Sequence, residues 1–376
     1  MRKQIEEYMR LLVGTDTSNP PGKEKYLAEK LIALAKGFPY ERIEHDSCRE
    51  SLIITVEGED TSRILGFAGH LDTVPVGQRE LWIRNPFGEI VGEVMYGRGA
   101  ADMCGGLAAM LLLLESCRHK RPPVTLKLIF TADEEEGGTG AAAIADRGYL
   151  KGIMGLILCE PSGLSLGISE KGALWLKILV KGINSHASMP MEGRNALEAG
   201  MNFLLELKTA IEALSRPHPL LGGNTCEITG CRSGVKMNIL PGLAEFDVDI
   251  RTLPGLNNGN AAVLQILSEL KGKYEKSHGV SIMAEPVLNR QPIEEPEDSP
   301  FVSHIKKAVQ PIHSISTTGI YFFTDGSVLI PGEKLPFVIL GPGDPAQCHK
   351  IDEHIDLNQI GQCYRMYRNI VDRFQV

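Results

Sequence analysis

VTLKLIFTADEEEGGTGAAAIADRGYLKGIMGLILCE, residues 124–160, is the stretch on which the fold turns. Its first part, VTLKLIFTA, is an apolar run of strand length, the pattern of a strand buried on both faces. GTGAAAIADRG then reads as a helix and GIMGLILC as a second buried strand. Strands of this kind separated by helices belong to a sheet covered on both sides. Between the first strand and the helix stand four consecutive acids, Asp133 to Glu136. Upstream, SLIITVEG and RILGFAGH read as strands and GGLAAMLLLLESC as a buried helix. Residues 24–36 read as a helix with Leu27, Leu31 and Leu34 on one face, stopping at Gly37.

After residue 170 the pattern changes. ALWLKILVKG alternates Leu174, Leu176, Ile178 and Val180 with polar or outward positions, which describes a strand with one buried face. A helix over roughly 195–214, the strands TCEITGCRSG and LAEFDVDIRT, a second helix over about 260–276 and the strand VSIMAEPVL complete a small α+β layer. The Pro-rich, acidic NRQPIEEPEDSP reads as a linker, and LPFVILGPG as a fully buried strand of the first sheet resumed. The expected organisation is therefore an α/β domain, residues 1–172 and 290–376, holding a mixed sheet sandwiched by helices. A lid domain, residues 173–289, is inserted into it.

The totals narrow the function. A chain of 376 residues suits two domains. With 39 Lys+Arg against 47 Asp+Glu the net charge is -8, which argues against nucleic acid as a partner. The N-terminal MRKQIEEYMRLLVG suggests an amphipathic helix rather than a secretory signal. The most apolar run, Leu107 to Leu114, is far short of the roughly 20 residues a bilayer requires. Eight scattered cysteines point to thiols in a reducing, cytoplasmic setting, and Cys226 and Cys231 lack the two further soft ligands a structural zinc needs.

Several strands deliver candidate ligands at their ends: His70 and Asp72 after RILGFAGHLD, Glu134 and Glu135 after IFTADEEEGG, Glu160 after LILCEPSG, and His349 beyond VILGPGDPAQCHK. Open α/β sheets bind ligands beyond the carboxyl ends of their strands, so these side chains can share one crevice. Carboxylates crowded without a cation raise one another's pKa, and a metal removes that difficulty. Asp102, between a glycine turn and the buried helix, could bridge two ions, which together would polarise a carbonyl and activate water. Taken singly, each residue has a plainer reading: a hydrogen-bonded strand-end histidine, a solvated acidic loop, a turn opened by Glu160 before Pro161. Their joint order, each after a buried strand or turn, favours the metal.

GHLDTVP, GRGAADMCGG, TADEEEGGTGA, CEPSG, SHASMPMEGRNA, NILPG with DIR, and CHKIDE together resemble the dinuclear zinc peptidases and deacylases. That family includes acetylornithine deacetylase, succinyl-diaminopimelate desuccinylase, aminoacylase and a glutamate carboxypeptidase. The resemblance implies one zinc on His70, Asp102 and Glu160 and another on Asp102, Glu135 and His349, with cobalt or manganese as substitutes. It implies Asp72 as the carboxylate orienting His70, Glu134 as general base, and Asp133 and Glu136 as supporting charges or loop surface. A register shifted by one, with Glu136 as ligand and Glu135 as base, stays open.

The resemblance also implies a homodimer formed through the lid, in which His186 stabilises the oxyanion in the partner's site. Asn238 and Arg251 would bind the substrate carboxylate. Arg251 could instead pair with Asp249 or Asp247. Cys104 and Cys348 stand where lysine and alanine are usual, and YFFTDGSVL replaces a glycine-rich turn. The expected substrate is an N-acyl amino acid or a short peptide. Glu160, where peptidases tend to carry Asp, tilts the reading toward deacylation. A dipeptidase or carboxypeptidase, and a non-catalytic metal or peptide binder, are the alternatives.

Overall fold

The structure, a computed structural model, describes residues 1–255 and 259–374. The chain divides into two units. The first comprises Met1–Ile168, Glu295–Thr318 and the chain from Thr324 onward; the second comprises Ser169–Glu294 with Gly319–Phe323. The return of Gly319–Phe323 to the second unit was not expected, because so short a stretch carries no compositional signature.

In the first unit the strands lie in the order Tyr40–Glu44, Glu50–Val56, Val124–Thr131, Asp60–His70, Ile153–Leu158, Phe337–Ile339, Leu166–Glu170. The four central members run parallel. Register sets their ends level: His70 lies opposite Thr131, Ala68 opposite Leu158, and Leu158 opposite Ile339. Every chain segment leaving these four strands therefore departs from the same edge. The strands are largely buried on both faces, from Leu65 to His70 in the first of them in sequence and along nearly all of the other three, as their apolar stretches require.

Helix Gly105–Ser116 is buried from Gly105 through Leu114 and packs against helices Arg2–Val13 and Leu357–Arg373. Each fully buried leucine in it contributes about 1.5–3 kcal/mol, which explains why an all-apolar helix is stable here. Gly106 lets this helix touch the sheet: a Cβ there would sit 2.0 Å from the carbonyl oxygen of Cys159. The helix Glu24–Leu34 ends slightly before its expected limit, closing on Ala35, and Gly37 turns the chain at φ +96°.

The second unit is a four-stranded antiparallel sheet in the order Thr225–Ser233, Leu243–Thr252, Gly172–Lys181, Ser281–Arg290, with helices Ala196–Glu212 and Gly259–His278. Leu174, Leu176, Ile178 and Val180 form one core with Phe203, Leu207, Phe246 and Val248. Asn195 caps the first helix, accepting from the backbone N–H groups of Leu197 and Glu198.

NRQPIEEPEDSP is not a free linker. The strand Ser281–Arg290 runs into it, Ile293 and Glu294 pair with Glu170 and Ser169, and Ser299 caps helix Pro300–Val309. Prolines and acids dominate its composition, but the buried Ile293 and the capping serine decide its structure. No helix among the described residues is long and apolar enough to cross a membrane.

Candidate metal centre

Five side chains gather beyond the level strand ends. His70 ends its strand with the ring buried, and its Nε2 lies 3.1 Å from Asp102 Oδ1 and 3.8 Å from Glu160 Oε1. Asp102 arrives from the other side, after Gly97 and Gly99 turn the chain through positive φ. Its second oxygen, Oδ2, lies 3.5 Å from His349 Nε2, and the same nitrogen is 3.1 Å from Glu135 Oε2. Asp102 thus stands between two imidazoles, with Glu160 on the His70 side and Glu135 on the His349 side. One ligand atom each from His70, Asp102 and Glu135 fits within 4.8 Å of the others. Glu136, by contrast, is exposed; Glu135 is the glutamate that lies in the cluster.

Electrostatics fit a cation. Burial lifts the carboxyls of Glu134 and Glu160 well above their usual range; Asp325 and Glu135 add to both, against the pull of His70. Burial and then Asp102 raise Glu135 despite its contact with His349. Burial would also raise Asp102, but hydrogen bonds with His349 and His70 hold it below the carboxylate range. Those same bonds from Asp102 and Glu135 raise His349 to about 10. For His70, burial favours the neutral ring, yet Glu160, Asp102 and Glu134 together push it the other way. Glu135 Oε1 is buried without a hydrogen-bond partner. Nitrogen and carboxylate oxygen donors, crowded acids and an unsatisfied oxygen together fit divalent metal ions.

The role expected for Asp72 needs correcting. His70 Nδ1 bonds the backbone oxygen of Asp72 at 2.9 Å, whereas the carboxylate stands 3.7 Å away. The Asp72 carboxylate instead accepts from the backbone N–H of Glu134 and of Glu135, both at 3.1 Å, and from Asn19 Nδ2 at 2.9 Å. It pins the acidic loop, while its main chain orients the histidine. Sequence spacing shows that Asp72 is near His70 but not which atom turns toward it.

Glu353 was missed in the sequence although CHKIDE was singled out. Fully buried, it accepts from Arg98 Nη1 at 2.7 Å and from the backbone N–H groups of Ala101 and Asp102 at 2.9 and 3.1 Å. It holds the backbone of the shared aspartate as Asp72 holds the acidic loop. Asp133 is likewise no surface charge: it is buried at φ +68° and bonded to Asn19, Arg49 and Thr139. Asp325, from YFFTDGSVL, adds its charge to the field at Glu134 and Glu160.

The cysteines beside the centre are packed thiols. Burial, followed by Glu353, pushes Cys104 up to about 12, and burial with Asp102 raises Cys348 strongly. All eight cysteines are free.

The remaining expected site residues lie in the second unit. His186 is exposed, its Nδ1 2.7 Å from Ser188 Oγ, and pairs across strands with Ile239. Asn238 is close by: its carbonyl accepts from the N–H of Ala187 at 3.0 Å. Arg251 does pair with Asp249, Nε to Oδ1 at 2.8 Å and Nη2 to Oδ2 at 3.0 Å, while Asp247 is taken by Arg232. Trp175 Nε1 also bonds Asp249, at 2.8 Å.

Known proteins resemble this chain in sequence and in fold. A probable succinyl-diaminopimelate desuccinylase of Staphylococcus aureus is 27% identical over 357 residues, covering 86% of this chain and 84% of that protein. Aminopeptidase PepT from Bacillus cereus has a similar fold, with a TM-score of 0.79 at 20% identity over 99% of this chain and 98% of that one. So does a dinuclear metal binding peptidase from Bacillus subtilis, with a TM-score of 0.73 at 15% identity over 99% and 97%. The profile of peptidase family M20/M25/M40 matches residues 66–373. The chain belongs to that family of metal-dependent hydrolases of amide and peptide bonds.

Proposed function

We propose that this protein removes an acyl group, of the acetyl or succinyl type, from the nitrogen of an amino acid, with two divalent ions and Glu134 as general base. The observation that carries the reading is the division of Asp102 between two imidazoles, Oδ1 toward His70 and Oδ2 toward His349. His70, Asp102 and Glu160 would hold one ion and Asp102, Glu135 and His349 the other. Zinc is the preferred ion, and cobalt or manganese suit the same donors. Such a pair, when bound, polarises the scissile carbonyl and makes water a nucleophile near neutral pH.

Glu134 performs the proton transfers. Its carboxyl is buried, and Asp325, Glu135 and Glu160 raise it further against the pull of His70. It takes the proton from the attacking water and delivers it to the leaving amine nitrogen. Asp72 fixes the backbone of Glu134, so the base is aimed before substrate arrives.

Asn238 and Arg251 receive the free α-carboxylate. Asp249 takes Nε and Nη2 of Arg251, so the contact would use Nη1. In a dimer built through the inserted unit, the partner subunit's His186 would stabilise the oxyanion. The desuccinylase named among the relatives and the glutamate at position 160 support deacylation over peptide cleavage.

The test compares kcat/KM of zinc-loaded protein on N-acetyl- and N-succinyl-amino acids with a dipeptide panel. An N-acyl substrate preferred at least tenfold, with loss on chelation and in Glu134→Gln, is the expected result. Preference for dipeptides would replace the deacylase with a peptidase. No hydrolysis of either class would leave a metal or peptide binder.

A further inference from the structure

We propose that Arg49 is a positioning residue of this centre, acting together with Asn19 on the loop that carries Glu134 and Glu135. The inference rests on the metal-centre reading given above. Arg49 lies just before the strand Glu50–Val56, far in sequence from every expected ligand. Its Nη1 pairs with Asp133 Oδ1 and its Nη2 with Asn19 Oδ1. Nε and Nη2 also donate to the carbonyl of Pro21, at 3.1 and 2.9 Å.

Asn19 extends the clamp. Its Nδ2 donates to Asp133 Oδ1 and to Asp72 Oδ2, both at 2.9 Å. Asp133 immediately precedes the proposed base, and Asp72 accepts the N–H groups of Glu134 and Glu135. Both ends of the acidic loop's anchoring therefore meet at one guanidinium. Glu24 closes the ring from the start of its helix: Oε1 accepts from the N–H of Asp133 at 3.1 Å, and Oε2 lies 4.0 Å from Arg49 Nε.

The buried carboxylates of Asp133 and, through Asn19, of Asp72 thus depend on the charge of Arg49, with the Glu24 carboxyl 4.0 Å from it. Removing that charge leaves buried anions facing one another, and the loop can relieve their repulsion only by moving. Any such movement displaces Glu134 and Glu135, whose backbone shares the anchor. A planar fork is required, because an ammonium cannot span Asp133, Asn19 and Pro21 at once. Residues supporting a metal's ligands typically change affinity or activity about 10–100-fold when lost.

The experiment uses the full chain with Arg49→Ala and Arg49→Lys. Zinc affinity is measured by competition with a chelating dye, and kcat and KM are measured on whichever amide the wild type hydrolyses. Arg49→Ala is expected to lower kcat about 10–100-fold with KM nearly unchanged, and to weaken the second zinc about tenfold or more. Added guanidinium should restore part of the lost kcat, and Arg49→Lys should fall between the two.

A purely structural role would lower the melting temperature without altering zinc affinity per folded molecule and without guanidinium rescue, and that result overturns the proposal. So does Arg49→Lys indistinguishable from wild type, which also decides the matter if Arg49→Ala does not fold. Should the wild type hydrolyse no amide, the functional reading fails on its own while zinc affinity still tests Arg49.

Discussion

Asp72→Asn should loosen the acidic loop without changing its shape. In the native protein Oδ1 accepts from the N–H of Glu134, while Oδ2 accepts from the N–H of Glu135 and from Asn19 Nδ2. An amide has one accepting oxygen. Its better orientation puts that oxygen in the place of Oδ2, where two donors wait, and turns its own N–H toward that of Glu134. One buried backbone donor is then left unpaired, at about 1–3 kcal/mol. The two surviving bonds exchange a charged acceptor for a neutral one and weaken by about 1 kcal/mol each.

The sum, about 3–5 kcal/mol, lowers the cost of opening this loop. At about 1.4 kcal/mol per tenfold, amide exchange across residues 131–138 should accelerate by about two to four decades. Hydrogen–deuterium exchange read by mass spectrometry measures this directly, with the rest of the parallel sheet as an internal control. A fall in kcat of about 10–100-fold should accompany it. Exchange within threefold of wild type in that segment would refute the reasoning, because the two N–H groups would then have no dependence on the carboxylate.

Glu24→Gln should alter how stability depends on pH. Burial and then Asp72 push the Glu24 carboxyl from 4.5 up to about 7 in the fold. A raised carboxyl favours the folded state while it keeps its proton, so that stability is lost as pH rises from 4.5 through 7. At about 1.4 kcal/mol per pH unit the interval amounts to about 3 kcal/mol. Between pH 5 and pH 8, an interval that starts already above 4.5, denaturant melts should show the variant gaining about 2.5 kcal/mol on wild type; an unchanged gap would contradict the burial argument. Gly106→Ala should drive the helix from the strand end that presents Glu160, because the new Cβ would lie 2.0 Å from the Cys159 oxygen. Overpacking of this kind costs about 1–3 kcal/mol, and weaker zinc binding measured by chelator competition should accompany the lower melting point.

The parallel strands and the candidate site residues at their ends were legible because buried strands write themselves as apolar runs and their ends as abrupt polar residues. His70, Glu134, Glu135 and Glu160 all follow that pattern. His349 lies ten residues beyond the last residue of its strand, Ile339, so the strand pattern points to it less directly, and its assignment to one ion came only with the family resemblance. The supporting residues left no such mark. Asn19, Glu24 and Arg49 come from three separate segments, and only closure of the sheet brings them to Asp133. Whether Asp133 and Glu136 are supporting charges or loop surface was left open by a run of acids; a left-handed turn buries the first as a support and exposes the last. The alternation of Leu174 to Val180 gave the second unit's core directly, and the pairing of Ile293 inside an acidic, proline-rich stretch could not be told from composition.

The division of Asp102 between two ions is tested most directly by anomalous scattering at the zinc edge from crystals of metal-supplemented protein. Two peaks per chain are expected on opposite sides of the Asp102 carboxylate, one bounded by His70 and Glu160 and the other by Glu135 and His349, with ligand distances of about 2.0–2.2 Å. A single peak, or peaks that do not touch Asp102, would contradict the account.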